Sequence, residues 1–137
     1  MEKHRELSDS EFEHQFITCA LRPSDFTHEA HLRFAWINIR QYGIEQAEII
    51  IQRQLKNYVD FAGATNKYNT TLTIAAIKAV YHFMLRSDSE TFKDFIAEFP
   101  RLKSNFKELM ASHYGFDIYN SEIAKKKFLE PDLLPFD

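Results

Sequence analysis

One cysteine, Cys19, stands in 137 residues, so no disulfide can close within the chain and nothing points to an oxidising compartment. Glycine is nearly as scarce, with three residues, and proline has four. Neither an Asn-Gly nor an Asp-Gly pair is present, and no alternating β-branched run stands between turn residues, which removes the usual marks of a hairpin. No apolar stretch approaches the ~20 residues needed to span a bilayer. The first residues, "MEKHRELSDSEF", lack the apolar core of a signal peptide, so the expected location is cytoplasmic, with no membrane partner. Excess charge is missing too: 17 basic against 20 acidic residues gives −3. The basic residues are scattered rather than gathered on one face, which argues against a nucleic-acid partner. The one dense run, Lys125 to Lys127, is expected to be a solvated helix face.

What is abundant is aromatic. Thirteen Phe and six Tyr point to a core rich in rings. The few glycines and prolines punctuate the chain instead of interrupting it. Gly43, Gly63 and Gly115 each follow a helical pattern, and Pro23, Pro100, Pro131 and Pro135 fall where such patterns stop. The expected fold is all-α: a single-domain helical bundle of five main helices plus a short C-terminal one.

The first helix runs from about Ser8 to Leu21, opened by a Ser8/Glu11 capping box and striped by Phe12, Phe16 and Ala20. The second runs from about Thr27, a plausible N-cap, to Tyr42, with Glu29 suited to the positive helix start. The third spans Ile44 to Ala62. The fourth, "TTLTIAAIKAVYHFMLR", is apolar almost all round and should be the most buried. Ser87 and Glu90 suggest a capping box for a short fifth helix, and a sixth follows Pro100. These Phe-rich helices are core or the face of a homodimer. A last short helix starts at Ser121, before a tail whose Phe128, Leu133, Leu134 and Phe136 should pack on the body.

The chemistry-bearing residues gather at the start of the second helix. His28 and His31 share its stripe with Leu32, Ala35, Trp36 and Ile39, so both are expected to point inward. His4, His14 and His82 occupy polar positions and are expected at the surface. The spacing H-x-x-H is not that of the zinc proteases, and two imidazoles are too few for a zinc site, which wants at least three protein ligands. If successive helices alternate in direction, Cys19, the loop holding Tyr68 and Asn69, and Thr71 come to the same end as the two histidines. His113 falls at the opposite end.

The segments "FTHEAHLRFAW", "KYNTTLT" and "EPDLLP" resemble a family of small bacterial proteins of unassigned function. Its pattern is F/W-T-H-x-x-H-L-x-x-A-W, then Y-H-x-T-x-T, then P-D-L-x-P. The resemblance implies that His28, His31, Tyr68 and Thr71 are site positions, and Asn69 stands where the pattern has a third histidine. A three-histidine metal centre in such a family would therefore lack one strong ligand here.

Three functions are compatible with these residues. The first is a polar pocket binding a small molecule, for which the convergence of helix N-termini admits an anion. In it His28 or His31 is the acid–base residue, and Tyr68, Asn69, Thr71 and Cys19 line the ligand. The second is a metal protein, for Zn²⁺ or Ni²⁺, with a degenerate cluster on His28 and His31. The third is an interaction protein with no pocket function, using exposed aromatic surface, in which the same polar residues only hold helices and loop together by hydrogen bonding. Cys19 on its stripe is more simply a small buried hydrophobe than a nucleophile.

Overall fold

A computed structural model describes residues 2–136, and every regular element among them is helical. Eight α-helices and three short 3-10 turns replace the expected five-plus-one, and the chain forms two compact units, one through Tyr68 and one from Asn69. Among the described residues no helix is long and apolar enough to cross a membrane.

The first unit holds α1 (Asp9–Ile17), α2 (His28–Tyr42) and α3 (Ile44–Phe61), with 3-10 turns at Lys3–Glu6, Pro23–Asp25 and Thr65–Lys67. The Ser8/Glu11 capping box is present, with Glu11 N donating to Ser8 Oγ at 3.1 Å and Ser8 N to the Glu11 carboxylate at 2.9 Å. α1 stops well short of Leu21, and the reason is local. Cys19 N donates to Phe16 O at 3.1 Å and Ala20 N to Gln15 O at 2.7 Å, the paired bonds of a Schellman ending. The residue in the left-handed position is Cys19 itself, with φ +61°, where glycine usually stands. Gly43, at φ +83°, both ends α2 and begins α3, so one residue joins the two helices, which pack on each other.

An aromatic cluster ties the pieces together. The Phe16 ring of α1 lies 4.8 Å from Phe26, 4.2 Å from Phe34 of α2 and 4.6 Å from Tyr58 of α3. Such pairs add about 0.5–1.5 kcal/mol each beyond the area they bury. The Tyr58 hydroxyl donates to Leu21 O at 2.6 Å, so its polar end is satisfied inside the same cluster.

The second unit holds α4 (Thr70–Met84), α5 (Phe92–Glu98), α6 (Arg101–Ser104), α7 (Phe106–His113) and α8 (Glu122–Lys126). The single helix expected after Pro100 is two, because Asn105 leaves helical geometry at φ −128°, ψ 35°. Thr91 caps α5, not Ser87, whose hydroxyl is used on Glu98 at 2.6 Å. Gly115 takes no positive φ; α7 ends instead at an extended Tyr114. The tail does pack on its unit, chiefly through Phe136, stacked 4.1 Å from the His113 ring, while Leu133 and Leu134 stay exposed.

The most buried helix is α2 rather than α4. Ten α2 residues are buried against six in α4, and the ten include Glu29, Arg33 and Asn38. Polar residues made α2 look half-solvated in sequence. Pairing Glu29 and Arg33 to charged partners is what admits them to the interior.

Candidate functional site

Both chemical features of the first unit meet at the start of α2. Thr27 caps the helix, its hydroxyl oxygen accepting from Ala30 N at 3.2 Å and its proton going to Glu2 Oε1 at 2.6 Å. From there the helix presents two faces.

The inward face carries Glu29 and, one turn on, Arg33. Glu29 is buried, and its Oε2 accepts from His4 Nε2 at 2.7 Å and from Arg5 Nε at 2.8 Å, while Arg5 Nη2 reaches Oε1. Arg33 gathers the rest of the N-terminal segment. It donates to the carbonyls of His4 and Leu7 and to Asp9 Oδ1, the last at 2.9 Å, and its guanidinium lies over the Phe12 ring. His4 is therefore not a surface residue: it is 1% exposed and sits edge-on to Phe12. Desolvation lowers its pKa, against the opposing pull of Glu29. The sequence offered one sign of this cluster, the Glu29/Arg33 spacing of four. Nothing in the periodicity of "EKHREL" distinguishes His4 from its exposed neighbours.

The outward face carries His28 and His31, and both are exposed, contrary to the inward orientation expected from their stripe. Glu29 and Arg33 occupy the interior direction at this end, which turns the two imidazoles out. His31 is nevertheless held. Its ring stacks 3.7 Å from Phe26 and its Nδ1 lies 2.8 Å from Thr27 O. A carbonyl can only accept, so Nδ1 carries the proton and Nε2 keeps its lone pair. Desolvation of the stacked ring lowers the His31 pKa; the Thr27 bond opposes this and the nearby His28 imidazole adds to it.

The remaining sequence-chosen residues fall in both units. Cys19 lies at the end of α1, its Sγ accepting weakly from Asn57 Nδ2 at 3.7 Å. Its neighbour Tyr58 has a ring that meets Phe26 at 5.3 Å, and Phe26 in turn stacks on His31. Tyr68 ends the 3-10 turn after α3, with Lys56 Nζ 5.2 Å from its ring centre. Asn69 and Thr71 belong to the second unit and are engaged there. Asn69 caps α4, Oδ1 accepting from Leu72 N at 2.9 Å while Nδ2 donates to Ile118 O at 2.8 Å. The Thr71 hydroxyl donates to Lys127 O at 2.7 Å and accepts from Leu129 N at 3.0 Å. His113, set aside on sequence, donates Nδ1–H to Leu134 O at 2.7 Å.

Among the described residues, one group of side chains has metal-like spacing. Single ligand atoms of Glu2, His4 and Glu29 lie within 4.8 Å of one another. Their hydrogen-bond pattern is that of an ion pair instead. Arg5 spans both oxygens of Glu29, and Arg33 Nη1 lies 3.3 Å from His4 Nδ1, which makes Nδ1 the acceptor and leaves the proton on Nε2. A metal needs the Nε2 lone pair, so it would have to expel that proton and displace a guanidinium. The cation of this cluster is arginine.

No family model matches the chain, and neither a curated protein nor a solved structure does.

Proposed function

We propose that the chain binds a small polar molecule on the outer face of the α2 start and moves protons there, with His31 as base and His28 beside it. One observation carries this reading: the bond from His31 Nδ1 to Thr27 O fixes the tautomer, so a neutral imidazole presents its basic Nε2 on an exposed, aromatic-backed position. A general base at neutral pH must be in this neutral form, and desolvation, which lowers the His31 pKa to about 4, keeps it there at the cost of some basicity. The ligand suited to it carries a hydrogen-bond donor. Glu29 already supplies negative charge to the first turn of α2, which makes an anion a poorer match.

Hydrolysis of p-nitrophenyl acetate at pH 7.5 tests the reading. The expected result is a saturable rate above that of free 4-methylimidazole at equal concentration, lost in His31→Ala and reduced in His28→Ala. A non-saturable rate, or an unchanged rate in His31→Ala, overturns it. The same lone pair and the i, i+3 spacing also suit a transition-metal ion, for which two ligands from the protein make a weak site. Micromolar Zn²⁺ that abolishes hydrolysis in the wild type favours that second reading.

A further inference from the structure

Residues 2–7 are held to the rest of the first unit by Glu2 on Thr27, by Arg5 on Glu29 and by Arg33 on the His4 and Leu7 carbonyls, and at the centre of these ties lies one buried imidazole whose surroundings accept a single protonation state. The 3-10 turn Lys3–Glu6 contributes one buried side chain, His4. From α2, Glu29 accepts at Nε2 and Arg33 Nη1 points at Nδ1 from 3.3 Å. From α1, Asp9 holds the same guanidinium at 2.9 Å and Phe12 meets the ring edge. From its own segment come Glu2, with Oε1 3.5 Å from Nε2, and Arg5, on Glu29. Lys3 and Glu6 are exposed.

We infer that this N-terminal segment is an acid-released latch, closed while His4 is neutral and opened when His4 takes a second proton. The second proton must go to Nδ1, because Nε2–H is already given to Glu29. At Nδ1 the nearest partner is a guanidinium N–H, a donor that is itself fixed by the His4 and Leu7 carbonyls and by Asp9. Imidazolium there would set donor against donor and cation against cation at a buried position where solvent screening is weak. The carboxylates of Glu2 and Glu29 favour the charged ring, but they do so through Nε2, where nothing changes on protonation. Releasing the segment hydrates His4 and leaves Glu29 and Arg33 to pair across one turn of α2. Acid would thereby uncover Glu29, Arg33 and Phe12 without requiring the aromatic cluster to open.

Hydrogen–deuterium exchange of the intact chain at pH 7 and pH 5, corrected for intrinsic rates, tests this. The reporters are the amides of Arg5 and Leu7, bonded to Glu2 O and His4 O. The expected result is a loss of protection there, roughly 25-fold at most for a closed state that refuses the proton and an open-state pKa of ~6.5. Amides of α3, which exchange through unfolding of the whole unit, should stay better protected than Arg5 and Leu7 at both pH values. His4→Gln keeps an N–H for Glu29 and cannot titrate, so protection of Arg5 and Leu7 should be the same at both pH values. Equal protection of Arg5 and Leu7 in the wild type at the two pH values, α3 amides no better protected than theirs, or an unchanged pH response in His4→Gln each overturns the latch. If His4→Gln fails to fold, the His4 ring titration in the wild type decides. A midpoint below 6.5 supports the latch, and one at or above 6.5 overturns it.

Discussion

Glu29→Gln isolates the worth of the buried charge at the start of α2. The substitution keeps the shape and one oxygen, but it replaces an acceptor of three N–H bonds by a group that must point an NH₂ at one of them. The loss has three parts. The bond from His4 Nε2, at 2.7 Å between fully buried side chains, is charge-assisted and worth about 1.5–3 kcal/mol. The negative charge in the first turn of α2 adds about 0.3–1 kcal/mol against the helix dipole. The Arg5 pair contributes less than its geometry suggests, since the Arg5 side chain is 56% exposed and water competes for it. The sum is about 2–4 kcal/mol, in line with breaking a buried pair from one side. Trp36, the single tryptophan, is 2% exposed on α2 under the Arg40 guanidinium, so its fluorescence reports loss of the packing around α2. Urea titration should show the midpoint falling by roughly 1–2 M for a slope near 2 kcal/mol/M. Arg5→Ala in the same assay should cost less than about 1 kcal/mol. A Glu29→Gln loss no larger than that of Arg5→Ala would refute the argument that burial, and not mere pairing, gives the cluster its weight.

Other consequences can be checked in the same way. Cys19→Gly should be neutral or stabilising by up to about 1 kcal/mol, because glycine occupies φ +61° without strain; a β-branched Cys19→Val should destabilise by more than that, and thermal melts of the pair would show the order. Asn69→Ala removes the α4 cap and strands the Ile118 carbonyl, for a loss of about 1–3 kcal/mol, read by circular dichroism in urea. His4 and His31 both have folded pKa values below the unfolded 6.5, so the unfolded chain binds protons first. Stability should be level above about pH 7 and fall as pH drops through 6.5; a Trp36 midpoint that rises toward pH 5.5 would contradict this.

The helical class was legible because its evidence is local. Ser8 with Glu11, Thr27, Gly43 and Ser121 mark helix ends through bonds to residues three or four away, and those bonds form. Asn105 breaks a helix with no proline or glycine to announce it, and Cys19 ends one where its own side chain is the unfavourable choice. The histidines were harder. Periodicity ranks residues by polarity, so it gives no reason to place charged Glu29 and Arg33 in the interior. Their partners lie 24 to 29 residues away in a segment with no apolar pattern, and only the fold brings them together. Once those two claim the interior, His28 and His31 must face out. Asn69 and Thr71 look like pocket residues in sequence because they are polar beside a loop; their partners at Ile118, Lys127 and Leu129 are 49 to 58 residues on.

That last separation bears on the order in which the chain can fold as it is synthesised. Bonds of the first unit close early: Thr27 to Glu2, His4 to Glu29 and Tyr58 to Leu21 all lie within the stretch ending at Tyr68. The second unit ties its beginning to its end, Thr71 holding both Lys127 and Leu129 while the tail caps His113 and Gly115. On the ribosome the first unit can therefore settle while the second is still being made. α4 emerges first in this unit with a broad apolar surface and waits for α8, which packs on it. A chaperone that binds nascent apolar helices would find its substrate there, and slow codons placed after α4 would lengthen the wait.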